Sequence, residues 1–140
     1  MDEGTAARTV ADIMDRTLHA APASTTVGEA AVIMARARVS STLVMDDGRL
    51  VGIFTERDVV KALSESIESP ADLIRLWMTA DPRTIAGSVP LEEALERMLR
   101  GGLQHLPVVD PWGGAVVGML SLEDLARAGV HNAEMEPTTE

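Results

Sequence analysis

Two stretches decide the fold: Gly52-Ile53-Phe54-Thr55-Glu56-Arg57-Asp58 and Gly118-Met119-Leu120-Ser121-Leu122-Glu123-Asp124. In each, a glycine sits in an apolar run, a hydroxyl residue follows three positions on, and an aspartate follows three positions after that. The two copies lie 66 residues apart. Upstream, the correspondence continues at an offset of 64: Met14 with Met78, Ala30 with Ala94, Met34 with Met98, Val44 with Val108, and Asp46 with Asp110. The two extra residues fall in Pro111-Trp112-Gly113-Gly114, which reads as a longer hairpin turn than Asp46-Asp47-Gly48-Arg49. A length change confined to a turn fits a structural duplication, because loops absorb insertions that strands and helices do not.

Working outward, each copy spells the same order of elements. Thr9 caps a short helix through Met14, with Asp12 near its positive end. Leu18 to Thr26 contains Pro22 and reads as strand or loop. The spacing predicts a helix over Val27–Ala37, with Val27, Ala30, Ala31 and Met34 on one face and a Thr26/Glu29 capping box at its start. Ser41–Met45 and Leu50–Phe54 read as strands joined by an Asp-Gly turn, which tolerates positive φ. Thr55 opens a helix through Leu63, and the polar run Ser64–Ser69, ending at Pro70, reads as the linker. The expected class is α+β: two copies of roughly β-α-β-β-α at 1–69 and 70–130, then a tail at 131–140 expected to fray. A unit of about 60 residues is marginal alone, so the copies are expected to pack by their apolar sheet faces with pseudo-twofold symmetry.

Composition excludes several classes. The 140 residues carry 12 Lys and Arg against 22 Asp and Glu, a net charge of −10, and are 46% hydrophobic. Without a basic patch such a chain does not neutralise a phosphate polymer, so no nucleic-acid partner is expected. The absence of Cys removes disulfides and thiolate chemistry. No run approaches the ~18 apolar residues of a membrane span. Met1–Val10 holds Asp2 and Glu3 rather than a signal peptide's apolar core, so the expected compartment is the cytoplasm. His19, His105 and His131 lack metal-ligand spacing, and neither a phosphate loop nor a nucleophile–base pair is present. Hence no metal, no cofactor and no catalysis are expected. Phe54, Trp77 and Trp112 are the only aromatics, so the core must be aliphatic, with Met14, Met34, Met78 and Met98 as fillers. Trp77 is expected at the repeat junction and Trp112 on an exposed turn or subunit contact.

Thr55-x-x-Asp58 stands where a strand ends and a helix begins. Helix N-termini present free N–H groups and partial positive charge, which favour an anion. The Thr55 hydroxyl can bond a phosphate or sugar oxygen. The Asp58 carboxylate can accept both ribose hydroxyls, as the acidic residue of a dinucleotide fold does. The pattern suits a nucleotide. The same residues also make an ordinary cap, with Asp58 as the N3 carboxylate, and the two roles are compatible. Arg57 is placed to approach a phosphate or to serve as a solvated helix-face charge. His105 reads as a polar rim residue.

The repeated pattern resembles the tandem CBS-domain pair, the regulatory module named after cystathionine β-synthase, from about Val10 to Ala128. Both opening stretches look like that family's Gly-h-x-[Thr/Ser]-x-x-Asp ribose-binding motif, where h is hydrophobic. His105-Leu106-Pro107-Val108-Val109-Asp110 looks like its strand signature and Trp77-Met78-Thr79-Ala80-Asp81-Pro82 like its lead-in. The first copy departs from the pattern: Thr42-Leu43-Val44-Met45-Asp46 lacks the proline, and Ala20-Ala21 stands where the second copy has Thr84-Ile85. The resemblance implies AMP, ADP or ATP as a regulatory ligand, with S-adenosylmethionine compatible because the motif does not read the phosphate end. It implies clefts drawn from both repeats: Thr55, Arg57 and Asp58 with Thr84, Ile85, His105 and Pro107, and Ser121 and Asp124 with Ala20, Ala21 and Ser41. Glu123 replaces Arg57 in the second and sets a like charge beside a phosphate, so the Asp58 cleft is expected to bind better. The resemblance also implies a homodimer through the helices after Thr55 and Ser121, acting on an enzyme or transporter the chain does not identify. The alternative is a ligand-free interaction or dimerisation module whose motif survives only as caps.

Overall fold

In the computed structural model, which describes residues 8–131, the elements run α1 (Val10–Ile13), β1 (Ala20–Ala21), α2 (Val27–Ala37), β2 (Ser41–Asp46), β3 (Arg49–Thr55), α3 (Glu56–Glu65), β4 (Thr79–Ala80), β5 (Ile85–Ala86), α4 (Leu91–Gly101), β6 (His105–Val109), β7 (Val116–Ser121) and α5 (Leu122–Arg127). Two 3-10 turns, Ser69–Ala71 and Ile74–Leu76, lie between α3 and β4. The fold is α+β with two sheets, ordered β1-β2-β3-β4 and β5-β6-β7. In each, a two-residue strand runs parallel to the next, and a helix makes the crossover a parallel pair requires.

Local chemistry explains the boundaries. Thr26 Oγ1 accepts the Glu29 N–H at 3.1 Å while the Glu29 carboxylate accepts the Thr26 N–H at 2.9 Å, so the helix begins at Val27 as its box predicts. Both long helices end on a left-handed residue, Arg38 after α2 and Gly102 after α4. Asp47 and Gly48 take φ of 51° and 75°, the pair a two-residue hairpin needs. Both hairpins carry a register shift at the same place, between Val44 and Met45 and between Val108 and Val109. The tail expected to fray lies, from 132 onward, outside the described residues.

The described residues divide into two compact bodies. One spans Leu18–Pro82; its core joins Val27, Ala30 and Met34 of α2 to Val44, Phe54, Ala62 and Ile74. The other takes the residues up to Thr17 together with those from Arg83 onward. Its core joins Leu91, Ala94, Leu95 and Met98 of α4 to Ile85, Leu106, Val108, Leu120 and Leu125, with Val10 and Met14 among them. Met14, Met34 and Met98 are buried and Met78 packs against its core, as expected of fillers.

These bodies do not coincide with the sequence repeats at 1–69 and 70–130. The lead-ins are exchanged. Thr79 and Ala80, in the lead-in of the second repeat, pair as β4 with Ile53 and Gly52 of the first. Asp15, from the start of the chain, exchanges two 2.9 Å backbone bonds with Met119. Glycine permits this. A Cβ on Gly52 would collide with Met78 Sδ, and one on Gly118 would stand 2.5 Å from Met14 Sδ.

The linker expected at Ser64–Pro70 is instead part of the first body. α3 continues to Glu65, Ser69 is fully buried, and Ile74 belongs to the core. The Val27 N–H donates to Asp72 O and the Ile74 N–H to Thr25 O, both at 2.8 Å. The segment is strapped across the start of α2, and the chain changes body at Thr17–Leu18 and Pro82–Arg83. Trp77 packs on that core, its Nε1–H donating to Asp72 at 3.1 Å, whereas Trp112 is 93% exposed on its turn.

Candidate functional site

The antiparallel registers bring the motif residues to a strand end in each body. Ser41 lies opposite Thr55, and His105 opposite Ser121. Thr55 closes β3 and caps α3. Its N–H and its hydroxyl both donate to Asp58 Oδ2, at 2.9 and 3.2 Å, and its Oγ1 accepts the Asp58 N–H at 3.3 Å. Oδ2 is thus saturated, whereas Asp58 Oδ1 has no hydrogen-bond or ion-pair partner among the described residues. Thr55 and Asp58 are half-buried and Arg57 is exposed beside them.

The second strand end is built alike but is electrostatically different. The Ser121 N–H donates to Asp124 Oδ2 and Ser121 Oγ accepts the Asp124 N–H, both at 3.0 Å. Here Asp124 Oδ1 already faces Arg127 Nη2 at 3.5 Å. Glu123 occupies the place of Arg57. Ser121 thus differs from Thr55 little, while the charges around its aspartate differ in both sign and engagement.

Each body assembles its own set. Ala21 of β1 pairs with Val44 of β2, placing Ala20, Ala21 and Ser41 in the body of Thr55, Arg57 and Asp58. Ile85 pairs with Val108 and Pro107 with Met119, placing Thr84, Ile85, His105 and Pro107 in the body of Ser121 and Asp124. The grouping expected from the resemblance, Thr55 and Asp58 with Thr84, Ile85 and His105, therefore joins residues of different bodies. Pro107, Ala21 and Ser41 are buried, Thr84 and Ala20 are exposed, and His105 is intermediate. Among the described residues no group of three His, Asp or Glu side chains is placed to hold a metal ion, and no helix is long and apolar enough to cross a membrane.

Sequence reasoning missed the residues that clamp these junctions. The first N–H of α3, from Glu56, donates to Ser40 O at 3.0 Å, and the first of α5, from Leu122, donates to Gln104 O at 2.9 Å. His19 O accepts both the Leu43 N–H at 2.8 Å and the Thr42 hydroxyl at 3.1 Å, fixing β1 to β2. Ser40 and Gln104 stand at the same 64-residue offset as Met14 and Met78, a signal that identifies them.

The family model for the CBS domain matches residues 10–65 and 71–131. The chain is 42% identical over 113 residues to the meiotically up-regulated gene 70 protein of Schizosaccharomyces pombe, spanning only 15% of that protein. It is 36% identical over 121 residues to an uncharacterized 17.7 kDa protein of Acidianus ambivalens, spanning 71% of it. Among solved structures, the CBS domain pair of protein MJ0100, crystallised with 5′-methylthioadenosine and S-adenosyl-L-methionine, matches with a TM-score of 0.81 and 28% identity, over 89% of this chain and 97% of that one. CBSX2, from Arabidopsis thaliana and crystallised with AMP, matches with a TM-score of 0.75 and 28% identity, over 87% of this chain and 96% of that one.

Proposed function

The chain belongs to the CBS-domain family, and from that premise we propose that it is a cytoplasmic regulatory pair that binds an adenine nucleotide, AMP, ADP or ATP, and signals as a homodimer through a change of conformation or assembly. The observation that carries this reading is the Asp58 carboxylate. One of its oxygens is saturated by Thr55, and the other is unpartnered at a strand-to-helix junction. A ribose diol supplies the two donors that Oδ1 lacks, and exposed Arg57 supplies charge for a phosphate. Ala21 and Ser41 flank this end of the sheet. Ser121 and Asp124, with Thr84, Ile85, His105 and Pro107, form the weaker counterpart, because a ligand there must displace Arg127 and face Glu123. The two relatives crystallised with adenosyl compounds support the ligand class. Phe54 is fully buried, Trp77 packs on its core with its Nε1–H on Asp72, and Trp112 projects from a turn, so aliphatic side chains and backbone groups hold the base. Binding shifts the protein only as far as its affinity differs between two arrangements.

The ligand-free reading has one observation in its favour. Thr26 with Glu29 makes the same cap with no nucleotide motif around it, so cap geometry by itself requires no ligand. Thermal shift separates the two. A ligand at a hundredfold excess over Kd stabilises by about 2.7 kcal/mol, several degrees in Tm. AMP or ATP is expected to raise Tm in the wild type, Asp58→Ala to abolish the rise, and Asp124→Ala to leave most of it. No shift with AMP, ADP, ATP or S-adenosylmethionine favours the ligand-free module, and equal losses in the two variants overturn the asymmetry.

A further inference from the structure

Trp112 stands almost fully exposed, whereas the other two aromatics, Phe54 and Trp77, pack in or on the core of the first body. A built turn holds it out. The Asp110 N–H donates to Ala115 O at 2.8 Å, the Gly114 N–H donates to Asp110 O at 2.7 Å, and Asp110 Oδ1 accepts the Trp112 N–H at 3.0 Å. Pro111 fixes its own φ, and Gly114 takes a φ of 74°, which favours glycine. The indole is displayed from a backbone with little left to order on binding. This turn closes β6 and β7 at the end away from His105 and Ser121, so it is no part of the motif.

The first hairpin makes no such display. Its turn, Asp46-Asp47-Gly48-Arg49, is two residues shorter, lacks an aromatic and carries its own cation. Asp46 Oδ1 accepts the Ala23 N–H at 3.3 Å and so ties that turn back to its body. Asp110 Oδ2, by contrast, has no hydrogen-bond or ion-pair partner among the described residues. No Lys or Arg occurs between Arg100 and Arg127, and both of these face glutamates. Arg83 Nη1 lies against Gly101, before β6 begins.

We propose that Asp110 and Trp112 form a receptor for an arginine or lysine side chain of a partner protein, the cation lying on the indole face and donating to Asp110 Oδ2. An indole is the aromatic face that attracts a cation most strongly, and a carboxylate bonded to the same residue's backbone adds a charge-assisted bond. Charge decides among occupants. The chain carries −10, which opposes a second copy and an anionic lipid or nucleic-acid surface alike, and attracts a basic protein surface. The contact uses neither nucleotide motif and does not require the homodimer.

Tetra-arginine and its neutral isostere tetra-citrulline test this on the full chain. In proton–nitrogen correlation spectra, tetra-arginine is expected to move the Trp112 indole N–H signal saturably and to leave that of Trp77 in place, while tetra-citrulline moves neither. Trp112→Phe assigns the two signals. Asp110→Asn keeps the oxygen that holds the turn, and Trp112→Leu keeps the bulk. Each is expected to raise the dissociation constant of labelled tetra-arginine, read by fluorescence anisotropy, about 2–5-fold, the scale of one exposed contact. Glu92→Gln, which removes the same charge from α4, is expected to leave it unchanged. A Trp112 signal that ignores tetra-arginine, or answers tetra-citrulline equally, overturns the proposal. So do equal losses in Asp110→Asn and Glu92→Gln, which mean that the peptide reads net charge only. Movement of the Trp112 signal with protein concentration alone, or with phosphatidylcholine vesicles, assigns the turn to a second copy or to lipid and overturns the basic partner. The AMP thermal shift reports on Asp58 in the other body, so the nucleotide reading is judged separately.

Discussion

Gly52 is small because of a neighbour, not because of its own backbone. A Cβ there would meet the Met78 sulfur and come within 3.0 Å of Thr79 O, and Gly118 stands in the same relation to Met14 and Asp15 O. Gly52→Ala must therefore shift Met78 or loosen the β3–β4 pairing, three residues upstream of Thr55. We expect it to cost about 1–3 kcal/mol in urea unfolding, the usual range for overpacking. Met78→Ala in the same chain should recover part of that, and the double-mutant cycle isolates the coupling. A cycle with no coupling places the strain elsewhere. Both glycines and both methionines are visible in the sequence as repeat positions. Their contact is not, because an offset of 64 or 66 says which residues correspond and nothing about which ones touch.

Among the elements, the segment after α3 shows most clearly how composition misleads. Ser64 to Ser69 is polar, and polarity ordinarily marks a solvated linker. Here Ser69 is fully buried in a 3-10 turn packed against α2 and α3, and its hydroxyl has no hydrogen-bond partner among the described residues. An unpaired buried hydroxyl costs about 1–3 kcal/mol. Ser69→Ala is expected to be neutral or to raise Tm by a few degrees, and a clear loss of stability would show that the hydroxyl is bonded in solution. By contrast, α2 was legible to the residue, because its capping box and its apolar spacing agree on Val27–Ala37. The two-residue strands β1 and β5 were barely legible: alternation needs more than two residues to show, and their pairing partners lie more than twenty positions away.

For the whole molecule, the duplication was legible, but which sheet each lead-in joins was not. The two motifs, the hairpins and the cap at Thr55 follow from the sequence, but the boundary between bodies depends on which sheet each lead-in joins. That choice has a direct test. A fragment of residues 18–82 contains β1 to β4 and Ile74, so it should melt cooperatively by circular dichroism, although with small stability for its size. A fragment of residues 1–69 lacks β4 and Ile74 and should not. Equal cooperativity in the two would place the boundary at the sequence repeat instead. The exchanged lead-ins also set a timetable for the nascent chain. The body Leu18–Pro82 has all its parts once Pro82 has left the ribosome. Asp15, made 104 residues before Met119, waits for it to be synthesised before its two backbone bonds can form. At about 5–20 residues per second the first strand-like residue stands unpaired for roughly 5–20 s, and one body is complete before the other can begin to close around its own beginning.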